Sequence, residues 1–324
     1  MMPQDAHPGQ VRLTILTPSW NRAKLLGRLA ASIVEQDSAL PIQWLVVDDG
    51  STDDTAAVVA ALRKEGGLAV DYVAIEHGGK HRALNAGFAH ARGEWIIIVD
   101  SDDRLAPGAL AALARELEAA DDQNARIALF PMNRPGPGTP YAFSASGRAF
   151  PLGECHAEDA AWYSTLCFRN GTPGLRMDAF PGEFYLAESS MMYALSPELP
   201  CYLSGERIVE VEFQPDGLSA KSLEMRMASP IGAITTYRRM IGAKLPMARR
   251  VRAHLNFARF WWHAILKGRL VTWPRTAGEW AALVFGLPIA MRDYVKRARS
   301  ASGRKRSGGE RPGMQEIDGR ALIW

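Results

Sequence analysis

The sequence predicts an α/β fold, a sheet flanked by helices, with a helical and basic C-terminal extension. Three observations carry this. Over the first 130 residues, short apolar runs rich in β-branched residues alternate with alanine- and leucine-rich stretches of helical spacing, the pattern of strands joined by helical crossovers. Each of the first four strand candidates runs into a polar cluster. From Arg238 to Arg306 there are 17 Lys/Arg against two acidic residues, an excess of +15 in a chain of net charge +3, so the remainder is acidic.

Val11 to Leu16 reads as a strand, Arg22 to Gln36 as a helix and Gln43 to Val47 as a second strand, after which Asp48-Asp49-Gly50-Ser51 turns the chain. Thr55 to Arg63 is a helix, Ala69 to Ile75 a strand and His81 to Ala91 a helix. The apolar run Trp95 to Val99 has the length of a buried strand and ends on Asp100-Ser101-Asp102-Asp103. Pro107 suits the first turn of a helix over Gly108 to Ala120, and Ile127 to Phe130 closes the series as a strand. Pro131 to Ser146 is rich in Pro, Gly and Ser and reads as a loop. Beyond it, Glu188 to Leu195 reads as a helix, Cys201 to Phe213 as extended and Asp216-Gly217-Leu218-Ser219 as a turn, with helices from Ser229 onward. Gly303 to Gly313 reads as a flexible basic tail.

With 324 residues and 47% hydrophobic content the chain has material for a substantial core, which excludes wholesale disorder. Cys155, Cys167 and Cys201 are odd in number and far apart, so a disulfide framework is not expected and a reducing compartment is. Met1 to Gln10 has neither the basic nor the apolar region of a secretory signal, which points to a cytoplasmic location. The apolar run Trp280 to Met291 contains Gly286 and Pro288 and falls short of the roughly 20 residues of a spanning helix. Among the basic residues of this part stand Trp261, Trp262, Trp273 and Trp280. Amphipathic rings among cations suit an anionic lipid surface, and nucleic acid is not the expected partner.

In an open α/β sheet, functional groups collect where the strands end at their carboxyl sides. Here those ends carry Thr17-Pro18-Ser19, Asp48-Asp49, His77-Gly78-Gly79-Lys80 and Asp100 to Asp103. A carboxylate after the second strand also serves dinucleotide-binding units, but their Gly-x-Gly-x-x-Gly loop is replaced by Thr17-Pro18-Ser19-Trp20-Asn21-Arg22. The Asp100 to Asp103 cluster offers hard oxygens suited to Mg²⁺ or Mn²⁺ beside a diphosphate.

In order and spacing, five segments resemble the family 2 glycosyltransferases: Thr17 to Arg22, Val47-Asp48-Asp49-Gly50-Ser51-Thr52-Asp53, Gly79-Lys80-His81-Arg82-Ala83-Leu84-Asn85-Ala86-Gly87, Gly93-Glu94, and the aspartate cluster. The resemblance implies the glycosyltransferase A fold, a Rossmann-like mixed sheet flanked by helices, with inversion at the sugar carbon. It implies a nucleotide-sugar donor, UDP by preference, and a divalent Mn²⁺ or Mg²⁺. It maps the base onto Thr17, Pro18 and Asp49, donor contacts onto Lys80, Asn85 and Asp100, and the metal onto Asp102 first and Asp103 second. Weaker similarity returns at Gly182-Glu183-Phe184, Glu188 and Pro215 to Ser219, which resembles a bacterial subgroup and implies Glu188 as catalytic base, with Glu183 as fallback. Trp20 stands where the family has Tyr, and the Gln-x-x-Arg-Trp motif of processive members is absent.

These implications give a catalytic domain over residues 1–228, with a donor half about 11–130 and an acceptor half about 131–228. A basic helical extension follows over 229–300 and a tail over 301–324. The expected partners are the donor, a glycan or lipid-linked acceptor, and the anionic inner face of the cell membrane. The alternatives are a catalytically silent membrane-docked scaffold and a sugar nucleotidyltransferase, although the Gly-rich activating loop of the latter is not seen.

Overall fold

The computed structural model describes residues 11–64, 69–132, 143, 145–155, 164–212, 221–269 and 271–306, with the backbone alone for 297–306. Strands β1 (Leu13–Ser19), β2 (Ile42–Asp48), β3 (Val70–Ala74) and β4 (Trp95–Ile98) alternate with helices α1 (Ala23–Val34), α2 (Thr55–Lys64) and α3 (Lys80–His90). There follow the short β5 (Arg104–Leu105), α4 (Ala109–Asp122), β6 (Ile127–Pro131), β7 (Arg148–Pro151), α5 (Leu152–Cys155) and β8 (Ser164–Arg169). The chain continues through α6 (Glu188–Met192), β9 (Pro200–Leu203), β10 (Val209–Glu210) and helices α7 (Ser222–Ala228), α8 (Pro230–Gly242), α9 (Met247–Leu266) and α10 (Ala277–Arg306).

Eight strands form one sheet in the order β3-β2-β1-β4-β8-β6-β9-β7. The strands β1 to β4 are parallel as their helical crossovers require, whereas β8 enters antiparallel between β4 and β6 and makes the sheet mixed. Alternation of side chains across the pleat divides the core. Leu13, Ile15, Trp44, Val46, Trp95 and Ile97 pack on one face with Leu26, Leu29 and Leu117. Their neighbours Leu16, Leu45, Val47, Ile96 and Ile98 pack on the other with Leu84, Met191 and Met192. A third core, around Tyr237, Phe257, Phe260 and Trp261, joins α8, α9 and α10. All three cysteines are buried and free.

Several boundaries differ from the sequence expectation. Thr17 to Ser19 belong to β1 itself, because their pairing with Val46 to Asp48 continues the ladder. The helix starting at Glu188 ends at Met192, and the extended region from Cys201 narrows to β9 and β10. Asp216 to Ser219 lie outside the described residues. Helix α10 runs through Gly286 and Pro288 and continues to Arg306, into the stretch read as tail. A Cβ on Gly286 would fall 2.7 Å from the Ala258 carbonyl carbon, so the missing side chain permits the close approach of α9. No helix among the described residues is long and apolar enough to cross a membrane.

The α9–α10 contact is pinned by a buried ion pair. Arg259 donates Nε and Nη2 to the two oxygens of Asp293, each at 2.6 Å, and His263 Nε2 lies 3.0 Å from Asp293 Oδ2. Burial opposes the Asp293 charge, but the bonds from His263 and Arg259 outweigh it and hold the carboxyl below its ordinary value. Asp293→Ala strands a buried guanidinium and should cost about 3–5 kcal/mol, read as a lower urea midpoint. Because the folded value lies below the unfolded one of about 3.9, the contribution is present at neutral pH. It should be lost as pH falls below that value and through the folded one.

Candidate active site

The rim where β1, β2, β3 and β4 end is built by backbone ladders and closed by side chains. Main-chain bonds from Asp49 to Ser19, Ile75 to Asp48 and Val99 to Leu16 continue the sheet past its last pairs. Asn21, at φ 53, accepts the Thr52 amide at 2.8 Å on Oδ1, while Ser51 Oγ accepts the Asn21 amide at 2.8 Å. The two loops after β1 and β2 thus hold one another. Asp48 accepts the Ser51 amide at 2.8 Å and the Tyr72 hydroxyl at 2.5 Å. Burial first, then the hydrogen bond to Asp48 and its charge, push the Tyr72 hydroxyl well above its usual range.

Asp49 is buried, and each of its oxygens accepts a backbone amide: Oδ1 from Gly78 and Oδ2 from Gly79, both at 2.8 Å. This clamp sets the turn before α3. Gly79 has φ 98, and a Cβ there would sit 2.1 Å from the Phe184 carbonyl oxygen, so only glycine fits. On the outer side, His77 stacks between Trp20 (4.5 Å between centroids) and Phe184 (5.3 Å).

From that turn Lys80 enters the site. Its Nζ lies 2.6 Å from Asp100 Oδ1, 2.8 Å from Asp100 Oδ2 and 2.7 Å from Glu188 Oε1. Burial disfavours the ammonium, but the charges of Asp100 and Glu188 prevail and raise its pKa well above the usual lysine range. Asp100, Asp102 and Asp103 each direct one oxygen into a space where these atoms lie within 4.8 Å of one another, a donor set that fits a hard divalent cation. Asp102 is half-buried and Asp103 buried, with Oδ1 accepting the Glu212 amide at 3.4 Å. Burial and the Asp100 charge raise the Asp102 pKa, and burial with both neighbouring aspartates pushes Asp103 up to about 8.

Lys80, Asp100, Asp102, Asp103 and Glu188 therefore stand together. Other candidates are engaged elsewhere. Thr17 is fully buried, its Oγ accepting Trp44 Nε1 at 3.1 Å, and Pro18 lies within the buried strand. Asn85 bonds twice to Met177, its Nδ2 donating to the carbonyl at 2.9 Å and its Oδ1 accepting the amide at 2.8 Å. Glu183 accepts the amides of Ile231 and Gly232 at 2.8 and 2.7 Å, capping the N-terminus of α8. His81 is buried beneath the first turn of α3, and its pKa is lowered by burial and by Arg82. The sequence places Ser19 and His77 in the rim clusters and Phe184 beside Glu183 without giving them a role, and does not single out Ser189; the hydroxyls of Ser19 and Ser189 are buried without a hydrogen-bond partner. Only the adjacency of His77 to Gly78-Gly79 signals it in sequence.

A parallel half-sheet with polar loops at one rim, continued by a half in which β8 and β7 run antiparallel to their neighbours, is the glycosyltransferase A fold. Residues 14–140 match the family described as glycosyl transferase family 2. It is 36% identical over 118 residues to the succinoglycan biosynthesis protein ExoO of Rhizobium meliloti (strain 1021), covering 36% of this chain and 32% of that protein. The stretches matched span about a third of the first curated relatives. The fold is similar to that of S. aureus TarS 1-349 in complex with UDP-GlcNAc, at TM-score 0.55 and 18% identity, covering 79% of this chain and 73% of that one. It is also similar to the mannosyltransferase PcManGT of Pyrobaculum calidifontis in complex with GDP-Man and Mn²⁺, at TM-score 0.52 and 19% identity, covering 90% and 84%.

The capping geometry makes a distinct prediction for Glu183. In Glu183→Gln one α8 amide meets an NH₂ group in place of an acceptor, so stability should fall by about 1–3 kcal/mol. Calorimetric nucleotide affinity of the folded variant should be unchanged.

Proposed function

We propose that this protein moves a single sugar, with inversion, from a nucleoside-diphosphate sugar, UDP-linked by preference, to a hydroxyl of a glycan or lipid-linked acceptor. The observation that carries the reading is the meeting of Glu188 with Lys80 and the aspartate cluster at the rim of a family 2 domain. Support for the donor class comes from the UDP-GlcNAc and GDP-Man complexes of the two similar folds. Support for polysaccharide as product comes from the description of ExoO.

In this reading Glu188, with an oxygen facing the site, accepts the acceptor's hydroxyl proton as the oxygen attacks the sugar carbon and the bond to the diphosphate breaks. Lys80, which meets both Asp100 and Glu188, neutralises charge on the departing diphosphate. Asp102 and Asp103, with Asp100 beside them, would hold Mn²⁺ or Mg²⁺, which supplies charge neutralisation at the diphosphate. The Trp20, His77 and Phe184 stack forms an apolar wall at the base side. In this reading Glu183, engaged by two amides of α8, serves as a helix cap and Glu188 as the base.

Glu188→Gln keeps shape and loses basicity. Turnover, followed as nucleoside-diphosphate release, should fall by about 10² to 10⁴, with donor affinity by calorimetry retained. Wild-type turnover in this variant would move the base elsewhere.

The membrane part of the reading rests on α10. Trp280, Val284, Phe285, Met291 and Val295 form an exposed apolar arc on one side of the helix, with Val284 at 72% and Phe285 at 64% exposure. Arg292 and Lys296 are exposed beside it, and Trp273 stacks on Trp280. An apolar arc edged by cations fits the plane of an anionic bilayer, here the cytoplasmic face of the cell membrane. The protein should sediment with anionic vesicles and be released in part by salt, and Trp280→Ala combined with Phe285→Ala should abolish the salt-resistant fraction. Concentration-dependent dimerisation without vesicle binding would assign the arc to a second copy of the chain.

A further inference from the structure

Resting on that reading of the donor and metal, we propose that Lys80 is an internal counter-cation, held by Asp100 and Glu188 until donor binding draws it away. It thereby keeps metal affinity low and the base engaged in the empty enzyme. The ammonium is within 2.6 and 2.8 Å of both oxygens of Asp100 and within 2.7 Å of Glu188 Oε1. Those are the carboxylate that opens the metal cluster and the candidate base. Among the described residues, each is given this one ion-pair partner. The same ammonium therefore ties together two groups that the reaction needs separately.

The consequences follow from charge. A divalent cation entering between Asp100, Asp102 and Asp103 meets a site already part-neutralised by Lys80, and repulsion between the two cations weakens its hold. Glu188 Oε1 is occupied by the ammonium while the bond lasts and is not open to an acceptor hydroxyl. A donor diphosphate brings the anionic oxygens that compete for Lys80. Once the ammonium turns to them, Asp100 is released toward the metal and Glu188 toward the acceptor. Donor and metal then bind cooperatively through one side chain, and by linkage each tightens the other to the same degree.

The geometry favours movement of the lysine alone. Lys80 is the first residue of α3, on a turn fixed by the Asp49 clamp and by Gly79 against Phe184. Its backbone is held, whereas its four-carbon stem carries an ammonium able to change partners without moving the helix. Lys80 is thus a positioning residue for Glu188 as well as a donor contact.

The test is Mn²⁺ binding by the full chain with and without UDP, read by electron paramagnetic resonance of free Mn²⁺ and by thermal shift, for wild type, Lys80→Met and Lys80→Arg. Without nucleotide, Lys80→Met should bind Mn²⁺ at least about tenfold more tightly than wild type, within the usual range of coupling. Lys80→Arg, which keeps the charge, should resemble wild type. The tightening of Mn²⁺ by UDP should be smaller in Lys80→Met. If that variant folds poorly, Lys80→Gln provides the same comparison, and Mn²⁺ alone should raise its melting temperature by more than that of wild type. Equal or weaker nucleotide-free Mn²⁺ affinity in the neutral variants overturns the counter-cation role. A wild-type protein that binds neither Mn²⁺ nor UDP overturns the functional reading itself.

Discussion

The carboxylate of Asp49 is the constraint on which the site depends. A buried aspartate is tolerated when its lone pairs are filled, and here two consecutive amides, of Gly78 and Gly79, fill them. That fixes the chain leaving β3 at the height of the chain leaving β2. The turn brings Gly79 against the Phe184 carbonyl, which only a residue lacking Cβ permits, and so seats the start of α3 against the segment that leads to α6. Lys80 follows directly and reaches Asp100 from the fourth strand and Glu188 from α6. One carboxylate thus fixes the turn from which Lys80 meets Asp100 and Glu188.

This arrangement explains what sequence could and could not disclose. The strands were legible because their β-branched and aromatic residues supply both faces of a buried sheet, as Trp44 to Val47 and Trp95 to Ile98 do. The polar clusters were legible because each interrupts an apolar run. Which atoms they meet was not. Nothing in the string Asp48-Asp49 tells that both side chains bond to backbone, since amides are present at every residue. Asn85 and Glu183 illustrate the same limit: each lies in a segment resembling the family, and each uses its polar atoms on a distant main chain, at Met177 and at α8. The antiparallel entry of β8 between β4 and β6 was likewise invisible, because pairing partners 33 to 74 residues apart leave no local periodicity.

The charge asymmetry resolves in a similar way. Counted along the chain, the C-terminal segment is a block of cations. In the fold, Arg238 pairs with Glu279, Arg239 with Asp178 and Arg259 with Asp293. These ion pairs fasten α8, α9 and α10 together and to the catalytic body. Among the described side chains of α10, Arg292 and Lys296 stand exposed beside an apolar arc. Glu279 and Asp293 are the two acidic residues already set against the 17 cations, so of these pairs only Arg239–Asp178 lowers the excess further, and no count of charges records that Val284 and Phe285 face outward.

The distinction between Glu183 and Glu188 shows why distance alone does not select a base. Both follow the same segment, and both lie at the first turn of a helix or against one. Glu183 accepts two amides that have no other partner, so protonating it or moving it toward a substrate would strand a helix end. Glu188 is bonded to an ammonium whose side chain is flexible and which has a second acceptor in Asp100. An amide fixed in a helix cannot follow a new anion, whereas a lysine can. The carboxylate held by the exchangeable partner is therefore the one that can be free at one stage of a reaction and neutralised at another, and Glu188 alone of the two meets that condition.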